Sequence, residues 1–137
     1  MESRHGWDKV DVNLLPRVLL VENDKPSVDI TKFYLKEICS IDVAANGEEA
    51  MELVGKNNYT AVLMDINLGT GVSGIDIEVQ IKELTGYKDT AIVALTAFAG
   101  PGDKEFFLSS GFTHYLAKPF DKSGIVQLMN EILSPKV

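Results

Sequence analysis

The sequence has little of what disulfide-stabilised, membrane-spanning or nucleic-acid-binding proteins need. Its single cysteine, Cys39, cannot form an internal disulfide and suits a reducing compartment, so we expect a cytoplasmic protein. No apolar run approaches the length of about 18 residues that spans a bilayer, and residues 1–16 lack the apolar segment of a signal peptide. The 13 Lys and Arg residues form no cluster and are outnumbered by 20 Asp and Glu residues. Because the resulting charge repels phosphate backbones, we predict no direct contact with nucleic acid, and we predict none with a membrane.

The length and composition indicate one globular domain. The chain has 137 residues, 45% of them apolar, which is enough for a single hydrophobic core. We divide it into an N-terminal tail or linker at 1–16, a domain at 17–134 and a C-terminal end at 135–137.

Short apolar runs alternate with segments of helical spacing along this domain. Four runs are almost wholly apolar and are predicted to be buried strands, at 18–21, 61–64, 91–95 and 115–117. A fifth, at 41–45, is half polar, as expected of an edge strand. Helical spacing is clearest in the last segment, and helix caps are predicted at Asn46 and at Asp121 or Ser123. The segment 100–110 has the weakest helical pattern, and there Phe106 and Phe107 are expected in the core. The alternation predicts an α/β fold with a parallel sheet and helices on both faces.

The residues that directly follow these runs carry the chemistry. Glu22 and Asn23 follow the first run, Asp65 and Thr96 follow two middle ones, and Lys118 follows the last. Because parallel strands end at one edge of a sheet, we expect these side chains to converge. A set of oxygen ligands without His or Cys favours Mg²⁺ over zinc or copper. A carboxylate beside such a cation and an ammonium can attack phosphorus, which predicts phosphoryl transfer onto Asp65.

Four segments in this order resemble the receiver domain of two-component response regulators and hybrid histidine kinases. They are VLLVEND at 18–24, LMDIN at 63–67, ALTA at 94–97 and YLAKPF at 115–120. The resemblance covers about residues 17–134. It implies a (βα)5 flavodoxin-like, doubly wound fold with five parallel strands in the order 2-1-3-4-5.

The resemblance also implies roles for the residues around the predicted phosphoacceptor. Asp65 would take a phosphoryl group from a phosphohistidine on a histidine kinase or a histidine phosphotransfer protein. Glu22, Asn23, Asp65 and the backbone carbonyl of Asn67 would hold Mg²⁺. Such a domain is a signalling module rather than a turnover enzyme, with at most slow loss of its own phosphate.

Further implied roles concern the response to phosphorylation. Thr96 would shift toward the phosphoryl group, Lys118 would pair with it, and Tyr115 would turn inward. The bond between Lys118 and Pro119 would be cis. A downstream protein would bind the face formed by the fourth helix, the fifth strand and the fifth helix, and a homodimer is one assembly that this permits.

Two features depart from the family pattern. Asn23 stands where a metal-binding aspartate is usual, so we expect weaker Mg²⁺ binding unless the neighbouring Asp24 supplies the missing carboxylate. The loop 68–74 lacks the usual Met-Pro, is one residue longer and contains three glycines.

Two other functions remain open at this point. If Asn23 abolishes metal binding, the chain is a pseudo-receiver that signals by contact without phosphorylation. A phosphatase of the haloacid dehalogenase type also uses an aspartate nucleophile, but it needs a second carboxylate two residues later as its acid. Asn67 cannot transfer a proton in that role, which disfavours the phosphatase.

Overall fold

The computed structural model describes residues 14–67, 73–98 and 100–134, in which five strands alternate with five helices. The strands are β1 (Arg17–Val21), β2 (Ser40–Ala44), β3 (Ala61–Asp65), β4 (Ala91–Thr96) and β5 (His114–Ala117). The helices are α1 (Lys25–Leu35), α2 (Gly47–Lys56), α3 (Gly74–Lys82), α4 (Asp103–Ser109) and α5 (Lys122–Leu133). The predicted alternation is confirmed. Asp65 and Thr96 are the last residues of β3 and β4 rather than the first residues beyond them.

The five strands form one parallel sheet in the order β2-β1-β3-β4-β5, as the resemblance implied. The half-polar strand β2 lies at one edge, which confirms the prediction made for it. Strand order reverses between β1 and β3, and ligands of open α/β sheets bind at such a point.

Alternate strand residues pack into two cores on the two faces of the sheet. Leu19 and Val21 of β1 face the core that α2, α3 and α4 cover, where Ile77, Ile81 and Phe107 are buried. Val18 and Leu20 face the other core, formed with buried residues of α1 and α5. A fully buried side chain of this size contributes about 1.5–3 kcal/mol. The sheet is therefore a rigid platform for the residues at its ends.

Polar side chains cap four of the five helices in this part of the chain. Asn46 accepts from the Glu49 amide and Asp121 from the Gly124 amide, which confirms the caps predicted there. Asp24 caps α1, and Ser73 forms a capping box with Asp76 at α3. Helix α4 begins after Gly102 and has no side-chain cap. Four helix starts are thus encoded locally, whereas α4 depends on packing.

One core assignment was wrong. Phe107 is buried, but Phe106 is 56% exposed, because consecutive side chains on a helix point roughly 100° apart.

Of the predicted tail, residues 1–13 lie outside the described residues, and the Pro16 carbonyl accepts from the Ser40 amide at 2.8 Å beside the edge of the sheet. Residues 68–72 of the glycine-rich loop also lie outside them. None of the helices described has the length and apolarity that a membrane crossing requires.

Candidate functional site

The carboxyl edge of the sheet brings three of the predicted residues into direct contact. Glu22 follows β1, Asp65 ends β3 and Lys118 follows β5. The Lys118 Nζ lies 2.8 Å from Glu22 Oε1 and 3.3 Å from Asp65 Oδ1, so one ammonium bridges two buried carboxylates. The predicted convergence is therefore observed for the acid pair and the lysine.

Burial and repulsion between the two acids disturb the protonation of the site. The pKa of Asp65 is raised to about 6, mainly by burial and to a smaller extent by the charge of Glu22 and a hydrogen bond with the Glu22 carboxyl. The Lys118 ammonium opposes this rise. Burial alone would lower the pKa of Lys118, but its hydrogen bond to Glu22 and the charge of Asp65 raise it instead. The Lys118 ammonium therefore stays charged at neutral pH, and its single positive charge compensates only part of the negative charge of the two acids.

Thr96 lies at the same edge but contacts a different group. Its buried hydroxyl oxygen accepts from the Phe98 amide at 3.0 Å, and its carbonyl accepts from the Lys118 amide at 2.8 Å. The second bond ties the residue that carries the ammonium to the end of β4. The peptide bond between Lys118 and Pro119 is cis, as the resemblance implied.

Tyr115 extends this arrangement toward α4. Its hydroxyl donates to the Phe98 carbonyl at 2.6 Å, and its ring stacks on Phe107 with the ring centroids 6.1 Å apart. Phe98 thus connects Thr96, through its amide, with Tyr115, through its carbonyl. Sequence reasoning missed Phe98, because a backbone acceptor leaves no signal in residue type.

Asn23, Asp24 and Asn67 are close in sequence to the two acids, and the Asp24 amide donates to Glu22 Oε2 at 3.3 Å. Asn23 and Asn67 are exposed and directly follow Glu22 and Ile66. The Asp24 carboxylate accepts from the Ser27 amide and hydroxyl, which lowers the pKa of Asp24. Because Asp24 is engaged as the cap of α1, the structure does not support the expectation that it replaces the missing acid.

The residues present fit a hard divalent cation, although the donor set is small. Within 14–67, 73–98 and 100–134, no group of three or more His, Cys, Asp or Glu side chains is placed to hold a metal ion. Two buried carboxylates with one ammonium leave negative charge in excess, however, and oxygen donors of this kind suit Mg²⁺. Amide and backbone oxygens, such as those of Asn23 and Asn67, would have to complete the shell.

Comparison with known proteins agrees with this geometry. Residues 18–130 match the response regulator receiver domain family. The chain is 31% identical over 128 residues to hybrid signal transduction histidine kinase F of Dictyostelium discoideum, covering 90% of this chain and 12% of that protein. It is 32% identical over 117 residues to the transcriptional regulatory protein SrrA of Staphylococcus aureus, covering 85% of this chain and 47% of that protein. The chain thus spans less than half the length of either relative.

A solved structure supports the same relationship. The receiver domain of sensor histidine kinase PA1611 from Pseudomonas aeruginosa, solved with a magnesium ion coordinated in its active site cleft, has a TM-score of 0.79 to this chain. The two are 27% identical, and the match covers 88% of this chain and 99% of that one. Because the family match covers most of the chain and the fold agrees, the chain belongs to the response regulator receiver domain family of two-component signalling.

Proposed function

We propose that Asp65 accepts a phosphoryl group in a Mg²⁺-dependent transfer from a phosphohistidine. The observation that carries this proposal is the Lys118 ammonium, which lies within 3.3 Å of both acids at the point where strand order reverses. In the transfer, an Asp65 oxygen forms a bond to phosphorus while the nitrogen–phosphorus bond of the donor breaks. The electron pair of that bond stays on the departing imidazole.

Each neighbouring side chain has a task in this step. Lys118 holds Asp65 in place beforehand and neutralises charge on the phosphoryl oxygens afterwards. The Thr96 hydroxyl is at hand to donate to one of those oxygens, since its bond within the described residues is one that it accepts, from the Phe98 amide. Glu22, Asn23, Asp65 and the Asn67 carbonyl would hold Mg²⁺, which neutralises charge as the phosphoryl group is transferred. Hydrolysis of the product is expected to be slow, because the acid that interacts with Asp65, Glu22, is paired with Lys118 rather than placed to activate a water molecule.

The surroundings of Lys118 support a protein donor. A largely apolar cavity of about 350 Å³ lies between α1 and the loop that joins β5 to α5, lined by Ile30, Thr31, Pro119 and Phe120 beside Lys118. Receiver domains interact with histidine kinases and downstream effectors. We assign this side to the histidine kinase or phosphotransfer protein, in the cytoplasm, and the α4–β5–α5 face to the downstream partner or a second copy. Phe98 and Phe106 are exposed on or beside α4, and Tyr115 connects that helix to the site.

Mass spectrometry after incubation with acetyl phosphate and Mg²⁺ tests the proposal. One added phosphoryl group is expected in the wild type and in the exposed control Asp89→Ala, and none in Asp65→Ala. The adduct should also disappear when Mg²⁺ is chelated.

A pseudo-receiver that needs no phosphate is the second candidate, favoured by Asn23 in place of an acid. Failure of the wild type to form the adduct at any Mg²⁺ concentration, with the chain still folded, would support this candidate and overturn the first.

A further inference from the structure

Helix α3 carries a buried acid that the proposed phosphoryl transfer does not use. Glu78 is only 2% exposed, and its Oε1 has no hydrogen-bond partner among the described residues. Ile77 and Ile81 of the same helix are fully buried in the apolar core. An unpaired charge in such a place costs several kcal/mol, so burial favours the neutral carboxylic acid over the carboxylate.

The carboxyl group lies against the turn that joins α4 to β5. Gly111 in this turn has a φ of +119°, and a Cβ placed on it would lie 2.5 Å from Glu78 Oε2. Only glycine leaves room for the carboxyl group there. The ends of this turn are held firmly, by bonds of 3.0 and 3.1 Å from the Ser110 amide to α4 and of 2.9 Å from the Thr113 amide to the Ile92 carbonyl. Its middle is held by two longer bonds of 3.3 Å, from Gly111 to the Leu108 carbonyl and from Phe112 to the Phe107 carbonyl.

Few charges are available to compensate an ionised Glu78. Burial raises the pKa of Glu78, and the Lys82 ammonium one turn along α3 opposes this only in part. The Lys82 Nζ is already engaged with the Lys88 and Thr90 carbonyls, at 3.2 and 2.6 Å. The turn 110–113 contains no titratable side chain, and the charged residues of α4, Asp103, Lys104 and Glu105, are its first three. The other charged or titratable groups of the packed elements are Asp76 of α3, Glu48, Glu49, Glu52 and Lys56 of α2, Asp65 of β3, and His114 and Tyr115 of β5.

We propose that Glu78 and Gly111 form a proton-sensitive latch between α3 and the turn from α4 to β5. With Glu78 protonated, the turn is seated on α3. When Glu78 loses its proton to water, its charge must be hydrated, and the turn moves away to admit solvent. The turn moves rather than α3, because α3 is fixed by its buried isoleucines and by its contacts with α2.

NMR titration of the metal-free protein tests the latch. The Glu78 carboxyl carbon is expected to titrate well above the value of about 4.3 typical of a free glutamate. The chemical shifts of the Gly111 and Phe112 amides should change with the same midpoint pH. Above that pH, hydrogen exchange of the Phe112 amide should be about tenfold faster than the increase expected from base catalysis alone. Glu78→Gln, which stays neutral, should abolish the transition at both amides. A Glu78 midpoint near that of free glutamate, or an amide transition that persists in Glu78→Gln, would overturn the proposal. The wild-type titration decides alone if Glu78→Gln does not fold.

The pKa of Asp65 is raised as well, so the titration of Asp65 must be separated from that of the latch. The two amide transitions are expected to persist in Asp65→Asn, so the latch does not depend on the proposed phosphoacceptor. Their loss in Asp65→Asn would assign them to the acid pair instead and would overturn the latch.

A double-mutant cycle tests the contact itself. Gly111→Ala should lower the denaturation midpoint more than Gly86→Ala, since Gly86 also has a positive φ but has open space around it. The excess should disappear in a Glu78→Ala background. If Gly111→Ala still destabilises the Glu78→Ala protein by more than Gly86→Ala does, the loss does not come from contact with Glu78, and the proposed contact is wrong.

Discussion

Lys118 and Glu22 form an ion pair of 2.8 Å across 96 residues of sequence. Glu22 is buried and Lys118 is 23% exposed, so the pair connects the ends of β1 and β5 over the end of β3. The contact that prepares the site therefore also contributes to the fold.

Removing the ammonium should destabilise the protein. Lys118→Met leaves the Glu22 and Asp65 carboxylates buried without a counter-charge, and we expect a loss of about 2–4 kcal/mol in the free energy of unfolding at pH 7.5. Urea unfolding of the metal-free protein measures it. The control Lys25→Met breaks an exposed pair with Asp29 and should change stability by less than about 0.5 kcal/mol. Equal losses in the two variants would contradict this account.

Restoring an acid at position 23 should strengthen cation binding. A charge pair at 4 Å is worth about 4 kcal/mol at an effective dielectric of 20. Asn23 is exposed, so we expect roughly tenfold tighter Mg²⁺ binding for Asn23→Asp, by isothermal titration calorimetry. The control Asn130→Asp adds the same charge on α5 and should leave the affinity within about twofold. Equal affinities of the wild type and Asn23→Asp would sink this prediction.

Acid should remove a contribution of Asp42 to stability. Partial burial would raise the pKa of Asp42, but hydrogen bonds from Tyr59 and Arg17 lower it overall. Because the folded pKa is depressed, the stabilisation is present above the unfolded value of about 3.9 and is lost as pH falls through the folded pKa. Asp42→Asn should therefore cost about 1 kcal/mol at pH 7 and at pH 5, and less at pH 3. Urea unfolding at the three pH values measures this, and a constant difference would contradict it. Asp29→Asn, on an exposed pair, is the control.

Two glycines in helices should respond to alanine with opposite signs. A Cβ on Gly74 would lie 2.6 Å from the Asp65 carbonyl oxygen, so Gly74→Ala must displace the backbone that carries Asp65. We expect a loss of about 1–3 kcal/mol in unfolding free energy. Gly55 in α2 has open space, and Gly55→Ala should add about 0.5–1 kcal/mol. Thermal unfolding of both variants decides, and a stabilised Gly74→Ala would refute the contact.

The sequence predicted the elements and the convergence at the sheet edge because both depend on local signals. Runs such as 61–64 and 91–95 are too short and too apolar for surface helices, and a polar residue at the end of each strand must lie at one edge. The proximity of Lys118 to Glu22 and Asp65 followed from that convergence, whereas the ion pairs among them are seen only in the structure.

Contacts between side chains and distant backbone were beyond the sequence. Phe106 and Phe107 have the same hydropathy, and only the rotation of α4 decides which one is buried. Glu78 is a charged residue between apolar neighbours, a pattern expected of an exposed helix position. Its burial depends on the space left by Gly111, which is 33 positions away.

Helix α4 is seven residues long, has no side-chain cap and buries one side chain, Phe107. Its local unfolding should therefore require less free energy than that of the other four helices described, each of which has a capping side chain and buries at least two residues. The sheet and those four helices can then persist as one cooperative unit while α4 samples other arrangements. The helix that changes its packing most easily is thus α4, which lies beside Tyr115.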